Sequence, residues 1–293
     1  MSRLDDLRRQ AVELDTGDPL ARWRDEFVID DPDLAYLDGN SLGMTPRRTI
    51  HRIHEVMATE WAQGLISSWE HWLDLPLHVG DELAPIIGAG PGEVVVHDST
   101  SVNLYQLVRA AVDLASDRHL IGVESGEFPS DRYIVEGVAE QTGRQVRHDL
   151  DDPDFPIGDC AVIVRSLVDY RTAEIADLAG FTARAKEHDT RVIWDLSHAV
   201  GVLDLNLPSA GVELAVGCTY KFLNGGARCT RVLLRVAGSH RPDHEPGSGV
   251  VRPSRPVPYG CRLASARRDR PTDDRNAEHP CPRSRALWNR AHR

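Results

Sequence analysis

Apolar residues recur along most of the chain with two different periods. Four segments repeat apolar residues every three or four positions, which predicts helices at Thr49–Trp61, Val102–Leu114, Ser130–Gln141 and Ala173–Glu187. Short apolar runs predict buried strands at Glu93–Val96, His119–Val123, Cys160–Val164, Val192–Trp194 and Leu214–Cys218. Because strands that alternate with helices form parallel sheets covered on both faces, the pattern predicts an α/β fold with a mostly parallel sheet.

This pattern changes at Ala227. Residues 227–293 contain eight Pro, fifteen Arg, no Lys and six acidic residues, and apolar periodicity is lost after Val236. Such a composition is typical of disordered segments. We therefore expect one folded part at residues 1–226 and a disordered, Arg/Pro-rich tail at residues 227–293.

Charge separates the same two parts. The chain has 34 basic and 45 acidic residues, and 15 of the basic and 6 of the acidic residues lie in the tail. Residues 1–226 therefore carry 19 basic and 39 acidic residues, a net charge of −20. A body this acidic repels the phosphates of nucleic acids and of anionic membranes, and we expect neither as a partner. A basic nucleic-acid-binding arm is one interpretation of the tail, and a second is given below.

The cysteines and the N-terminus bear on location. Five cysteines are odd in number and form no C-x-x-C pair, which argues against a disulfide framework and against a zinc site. Met1–Gln10 is charged and does not resemble a signal peptide, and no apolar run has the length of a membrane span. We therefore expect a cytoplasmic protein.

Only two lysines occur in the chain, and their settings differ. Lys186 lies on a polar helix face, whereas Lys221 follows the apolar run Leu214–Cys218. Proteins of the α/β class build active sites just beyond the carboxyl ends of parallel strands, and an amine partly desolvated there is able to form a Schiff base. Lys221 is therefore a candidate cofactor lysine, the alternative being a solvated lysine that only ends a strand.

Two further features suit a pyridoxal-phosphate site. Asp195 ends the strand that starts at Arg191, and this cofactor needs a carboxylate against its pyridine nitrogen. Asp98–Ser101 leads into a predicted helix, where hydroxyls and free backbone N–H groups can bind a phosphate. Taken singly, each is equally well interpreted as a helix cap, so only their combination with Lys221 indicates the cofactor.

Two other patterns are rejected as sites. Ile87–Gly92 resembles a dinucleotide fingerprint, but Glu93 stands where the last glycine belongs, and a valine-rich strand follows instead of a helix. His51 and His54 share a helix face without a cluster of carboxylates or cysteines beside them. We interpret them as surface histidines and expect no metal site.

Six stretches resemble the kynureninase family, in the family's order. They are Tyr36–Gly43 (YLDGNSLG), Gly88–Tyr105, Phe128–Tyr133 (FPSDRY), Val168–Thr172 (VDYRT), Trp194–Gly201 (WDLSHAVG) and Gly217–Gly226 (GCTYKFLNGG). The resemblance covers roughly residues 5–226. It implies a fold-type-I, pyridoxal-phosphate-dependent transferase-like fold and a homodimer. It also implies hydrolysis of L-kynurenine to L-alanine and anthranilate, or of 3-hydroxykynurenine to L-alanine and 3-hydroxyanthranilate. This reaction belongs to tryptophan catabolism and NAD biosynthesis.

The resemblance also implies roles for individual residues. Lys221 would carry pyridoxal 5′-phosphate covalently and later move protons at the substrate α-carbon. Asp195 would pair with the pyridine nitrogen, and Phe128 would stack on the ring. The other implied cofactor contacts are Thr100, Ser101, Pro129, Ser130, Asp131, Ser166, His198 and Tyr220.

The resemblance ends at Gly226. The family continues with a proline-glycine-alanine-proline run, an aromatic strand and, later, a tryptophan-glycine-histidine motif, none of which is present here. We hypothesise a frameshift, because one codon choice for Ala227–Val236, read one base later, encodes Pro-Gly-Ala-Pro-Ala-Phe-Phe-Tyr-Val. In that case the large domain is incomplete, the C-terminal small domain is missing, and turnover should be weak or absent.

Two other functions are left open by the sequence. Another enzyme of this fold type, such as a cysteine desulfurase, would need a mobile catalytic cysteine, and Cys218, next to the lysine, is poorly placed for that role. A gene remnant without catalysis is the second alternative.

Overall fold

The computed structural model describes residues 2–31, 33–226 and 231–235. These residues belong to one unit. They form a helical N-terminal segment followed by a seven-stranded sheet with helices on both faces. The predicted α/β architecture is confirmed.

The N-terminal segment consists of short helices. They are α1 (Arg3–Gly17), a 3-10 helix (Ala21–Glu26), α2 (Arg47–Glu55), a π-helix (Val56–Gly64), a 3-10 helix (Leu65–Ser68), α3 (Trp69–Trp72), α4 (Leu75–Leu83) and a 3-10 helix (Ala84–Ile87). The helix predicted at Thr49–Trp61 is thus confirmed as α2 and the π-helix that continues it. Its apolar side chains Ile50, Ile53 and Met57 are nevertheless exposed, so this face has no partner among the described residues.

Seven strands form one sheet. They are β1 (Val94–His97), β2 (Leu120–Val123), β3 (Gln145–Arg147), β4 (Cys160–Ser166), β5 (Arg191–Asp195), β6 (Leu214–Val216) and β7 (Arg231–Arg235). Their order is β1-β7-β6-β5-β4-β2-β3. The pairs from β3 to β6 are all parallel, whereas β7 is antiparallel to both β1 and β6, which confirms a mostly parallel sheet.

Helices cover both faces of this sheet. They are α5 (Thr100–Leu114) and α6 (Pro129–Thr142) on one face and α7 (Leu178–Glu187) on the other. Strand β5 shows both contacts, because Ile193 joins the core under α5 and α6 while Val192 and Trp194 join the core under α7. The buried Trp194 ring meets Phe181 edge-on at 5.9 Å between centroids, and its Nε1–H donates to Thr182 at 3.0 Å. Burial on both faces explains why these strands read as continuous apolar runs.

Several boundaries differ from those predicted. The helix predicted from Ala173 starts at Leu178, because Ala173 has a positive φ of 61° and the Asp177 side chain caps the helix by accepting from Gly180 N–H. The strand predicted to reach Cys218 ends at Val216. Strand β3 has no predicted counterpart, since it is an edge strand without an apolar run.

Part of the segment after Gly226 lies in the sheet. Strand β7 occupies the place between β1 and β6, with Leu234 paired to Val94 on one side and to Ala215 on the other. The expectation of disorder from Ala227 onward therefore does not hold at Arg231–Arg235, where three consecutive apolar residues favour a strand. The rest of the predicted tail lies outside the described residues.

Candidate active site

The carboxyl ends of β4, β5 and β6 lie side by side at one edge of the sheet. Ser166 ends β4 and Asp195 ends β5, and the two residues are direct neighbours in register. Asp195 is also paired with Val216, the last residue of β6, and the loop that carries Lys221 follows directly. Active sites of open α/β sheets lie at this edge, so the topology alone brings these residues together.

A cavity of about 250 Å³ opens at the same edge. Its lining residues are Thr100, Ser101, Phe128, Ser130, Asp131, Ser166, Tyr170, Asp195, Ser197, His198, Tyr220 and Lys221. Every residue predicted for the site lines this cavity except Pro129, which is the first residue of α6. Tyr170 and Ser197 also line the cavity without being predicted; their only signal is a position inside two of the family-like stretches.

Lys221 is buried against a histidine. The residue is 6% exposed, and its Nζ lies 2.7 Å from Nε2 of His198. Burial is the main cause that lowers the pKa of His198 below its ordinary value of 6.5, and the positive charge of Lys221 is the second cause. A neutral imidazole is therefore favoured at neutral pH, and its Nε2 can accept a hydrogen bond from the Lys221 ammonium.

Two aspartates in the cavity are coupled. Asp195 and Asp131 are both buried, and Oδ1 of Asp195 accepts from Ser197 N–H at 2.6 Å. Burial is the main cause that raises the pKa of Asp131, to about 9, and the negative charge of Asp195 is the second cause. The Oδ2 atom of Asp131 has no hydrogen-bond partner among the described residues. With this raised pKa, Asp131 keeps its proton at neutral pH.

Aromatic rings form one side of the cavity. Phe128 meets Tyr170 edge-on with 5.1 Å between ring centroids. The Nζ atom of Lys221 lies 5.7 Å from the centroid of Phe128 and 5.8 Å from that of Tyr220. A flat ring attached to Lys221 would thus find an aromatic surface within reach.

The N-terminus of α5 provides a site for an anion. Ser99 caps this helix by accepting from Val102 N–H at 3.2 Å, and Asp98 before it has a positive φ of 52°. Thr100 and Ser101 face the cavity from the first turn, and Thr100 Oγ1–H donates to the Gly217 carbonyl at 3.3 Å. The helix dipole and the first backbone N–H groups of a helix favour negative charge, as a phosphate carries.

The N-terminal segment contributes one close contact to the lysine loop. Gly43 N–H donates to the Tyr220 carbonyl at 2.7 Å. A Cβ on Gly43 would lie 2.2 Å from the carbonyl oxygen of Lys221 and 2.8 Å from Cα of Asn224. Only glycine therefore fits this contact, which explains a glycine at the end of the YLDGNSLG stretch.

No group of three or more His, Cys, Asp or Glu side chains within residues 2–31, 33–226 and 231–235 is arranged to hold a metal ion. None of the helices in these ranges combines the length and the apolar character that crossing a bilayer requires.

Curated relatives of the chain are kynureninases. The chain is 40% identical over 276 residues to the kynureninase of Pseudomonas fluorescens, an alignment that covers 84% of this chain and 66% of that protein. It is 40% identical over 230 residues to the kynureninase of Burkholderia pseudomallei, covering 75% of this chain and 55% of that protein. The chain thus spans between half and two thirds of the length of these relatives. No family model matches it.

Solved structures with a similar fold have low sequence identity to this chain. A cysteine desulfurase of Escherichia coli superposes with a TM-score of 0.61 at 16% identity, over 74% of this chain and 58% of that one. A cysteine desulfurase of Thermococcus onnurineus gives a TM-score of 0.59 at 16% identity, over 77% and 56%. At this identity the likeness shows the fold, and it confirms the predicted fold-type-I class.

Proposed function

We propose that this chain, which belongs to the kynureninase family, binds pyridoxal 5′-phosphate through Lys221. Its proposed reaction is the hydrolysis of L-kynurenine to L-alanine and anthranilate, or of 3-hydroxykynurenine to L-alanine and 3-hydroxyanthranilate. The observation that carries the proposal is the buried amine of Lys221 in a cavity that also contains Asp195. An amine for covalent attachment and a carboxylate for the pyridine nitrogen are the two groups that this cofactor requires.

The residues present fit the cofactor in four respects. Lys221 supplies the amine, and Asp195, at the end of the neighbouring strand, supplies the carboxylate. Phe128 supplies an aromatic surface, and the helix N-terminus at Thr100 and Ser101 supplies backbone N–H groups and the Ser101 hydroxyl for the phosphate. Asp131 lines the same cavity, and its buried Oδ2 has no hydrogen-bond partner among the described residues.

The side chains of this site have separate tasks in the proposed reaction. When bound, the cofactor withdraws electrons from the carbon that carries the substrate amine. Lys221, once released, holds and moves the proton at that α-carbon, and the neutral His198 next to its Nζ accepts a hydrogen bond from it. Asp131 holds its own proton, and the carboxylate of Asp195 is the group that would face the pyridine nitrogen.

Covalent attachment is tested by borohydride trapping of the full chain with pyridoxal 5′-phosphate. The chain contains only two lysines, so Lys186, on the solvent-facing side of α7, is a matched control for Lys221. We expect reduction to label the peptide with Lys221, the variant Lys186→Arg to be labelled equally, and Lys221→Arg to lose the label. A label that persists in Lys221→Arg would disprove the assignment, and peptide mapping separates it from labelling of the N-terminal amine.

Turnover is tested by the fluorescence of anthranilate formed from kynurenine. We expect cofactor trapping together with weak or absent turnover, because the family motifs that follow Gly226 are not present in residues 227–293. Trapping without anthranilate thus supports a kynureninase-type cofactor site that lacks part of its substrate pocket. The absence of trapping would favour a remnant without function.

The origin of residues 227–293 is part of this proposal. We propose that they translate a shifted reading frame of a kynureninase gene. The test is the nucleotide sequence, whose codons must encode a proline-glycine-alanine-proline run one base after the codon start of Ala227.

A cysteine desulfurase is not favoured by any described residue. Cys218 is buried two residues after the end of β6, and burial raises the pKa of its thiol above the ordinary value. Its Sγ lies 3.7 Å from the Ser197 carbonyl, to which the thiol can donate. A reactive cysteine needs exposure and a lowered thiol pKa, and Cys218 has neither.

We further propose a homodimer in the cytoplasm. Exposed apolar side chains occur along the N-terminal segment, among them Ile50, Ile53, Met57 and Trp61 of α2 and the π-helix, and a second copy of the chain would cover them. The thiol of the buried Cys160, whose pKa burial raises to about 12, needs no disulfide partner in a reducing compartment. Sedimentation of the purified chain, with and without Trp61→Ser, tests the dimer.

A further inference from the structure

Glu127 is a buried acidic residue next to the cofactor cavity, and no role in the proposed function has been given to it. It stands just before Phe128 at the start of α6 and is 6% exposed. It borders a second cavity of about 240 Å³, whose lining shares Ser166 with the cofactor cavity. Glu127 thus lies in the wall between the two cavities.

The carboxylate of Glu127 accepts three hydrogen bonds. Its Oε1 accepts from the Phe128 backbone N–H at 2.9 Å and from the Ser166 hydroxyl, and its Oε2 accepts from the Ser166 backbone N–H at 2.7 Å. One side chain therefore joins the end of β4 to the beginning of α6. Both residues that it holds, Ser166 and Phe128, line the cofactor cavity.

This bonding decides what Ser166 can offer to a ligand. A serine hydroxyl has one proton to donate and two lone pairs to accept with. Because the Ser166 proton points to Glu127, the hydroxyl oxygen faces the cavity as an acceptor only. A donor on the cofactor or substrate therefore matches Ser166, and an acceptor does not.

The charge of Glu127 also belongs to this site. Burial raises the pKa of Glu127, and the charge of Asp195 adds to that effect, while the three hydrogen bonds oppose it. All three partners are donors, which is the arrangement that a carboxylate requires.

We propose that Glu127 is a positioning residue of the cofactor site, which fixes Ser166 as a hydrogen-bond acceptor and anchors Phe128 against the bound ring. The inference rests on the proposed function, because the ligand that Ser166 and Phe128 address is pyridoxal phosphate. Glu127 itself does not line the cofactor cavity. Its effect on the ligand passes through the two residues that it holds.

The test compares Glu127→Gln with Glu124→Gln in the full chain. Glutamine has the shape of glutamate, but its amide N–H₂ is a donor. It would stand where a carboxylate oxygen now accepts, opposite a group that also donates. Glu124 is the matched control, since it is a partly buried glutamate that accepts from Leu150 N–H at 3.1 Å and lines only the second cavity. The measurements are the affinity for pyridoxal 5′-phosphate by fluorescence titration and the visible circular dichroism of the bound cofactor, which reports ring orientation.

We expect Glu127→Gln to weaken cofactor binding about tenfold, as loss of a charged hydrogen bond does, and to reduce the dichroic band. Glu124→Gln should change neither. Ser166→Ala should reproduce most of the loss in affinity, and adding Glu127→Gln to it should cost little more, because the two residues act as one unit. Far-ultraviolet circular dichroism shows whether each variant is folded, and Ser166→Ala keeps the test valid if Glu127→Gln is not.

Three outcomes overturn the inference. Equal affinity and equal dichroism in the original chain and Glu127→Gln would show that Glu127 does not position the site. Additive losses in the double variant would show that it does not act through Ser166. If the original chain binds no pyridoxal phosphate at all, both the proposed function and this inference fail, a result distinct from the first two.

Discussion

The helices α1, α2 and the π-helix contain apolar residues as the sheet does, but only the sheet buries them. None of the residues of α1, α2 and the π-helix is buried, whereas whole stretches of β2, β4 and β5 are. An apolar pattern predicts a face that needs cover, and it does not say which chain provides the cover. Within the described residues the sheet is covered by helices, and α1, α2 and the π-helix are left for another surface.

The largest expected difference between the regions comes from two tryptophan substitutions. Trp194→Ala should reduce the free energy of unfolding by about 3–5 kcal/mol, because it empties a fully buried site between Phe181 and Thr182. Trp61→Ala, at a residue 57% exposed, should change it by less than about 0.5 kcal/mol in dilute solution. Urea denaturation at low protein concentration measures both. Equal losses would contradict the division into a covered and an uncovered region.

An intermediate effect is expected where the two regions meet at Gly43. Gly43→Ala should reduce cofactor trapping on Lys221 at least about tenfold, because its Cβ would displace the backbone of the lysine loop at a cost of about 1–3 kcal/mol. Gly39→Ala in the same stretch is the control, since nothing lies within 4 Å of a Cβ there. Trapping that is unchanged in Gly43→Ala would mean that the N-terminal segment does not position Lys221.

Asp131 and Asp5 should differ in the pH dependence of their contributions to stability. The pKa of Asp131 rises to about 9 on folding, so its contribution to stability is complete below about pH 4 and is lost as the pH rises toward 9. Between about pH 5 and 8.5 the original chain should therefore lose stability relative to Asp131→Asn, which does not titrate. Urea midpoints at both pH values measure this difference.

Asp5 provides the opposite sign. Hydrogen bonds with Ser2 lower the pKa of Asp5, so its contribution is present above its unfolded pKa and is lost only on acidification. The difference between the original chain and Asp5→Asn should thus stay constant from pH 5 to 8.5. A constant difference for Asp131→Asn as well would show that Asp131 is ionised throughout this range.

Much of the sheet could be predicted from the sequence, because its strands are buried on both faces and their apolar runs are continuous. The carboxyl ends of β5 and β6 follow from those runs, and so does the proximity of Asp195 and Lys221. Strand β3 could not be predicted in this way, since an edge strand needs no apolar run. The start of α7 was missed because the positive φ of Ala173 has no signature in the pattern.

The site was only partly predictable for a different reason. A family-like stretch marks which residues belong together, and all predicted residues except Pro129 line one cavity. The role of Glu127 depends on a contact with Ser166 across 39 positions of the chain, which no local pattern reveals. The exposure of Ile50 and Ile53 could not be predicted either, because an amphipathic pattern is the same whether or not its partner belongs to the same chain.

Strand β7 shows that different parts of this fold constrain the amino-acid sequence to different degrees. The loop with Lys221 is held at both ends within one sheet, by β6 before it and β7 after it, which restricts the ensemble that the loop can explore. A strand in this place is bonded through its backbone, so many apolar sequences can occupy it, including one outside the family resemblance. Many different sequences can therefore form the strand at this point, whereas the chemistry of the adjoining loop requires particular residues. A change of reading frame after Gly226 would therefore preserve the architecture around Lys221 while removing the specificity that lies beyond it.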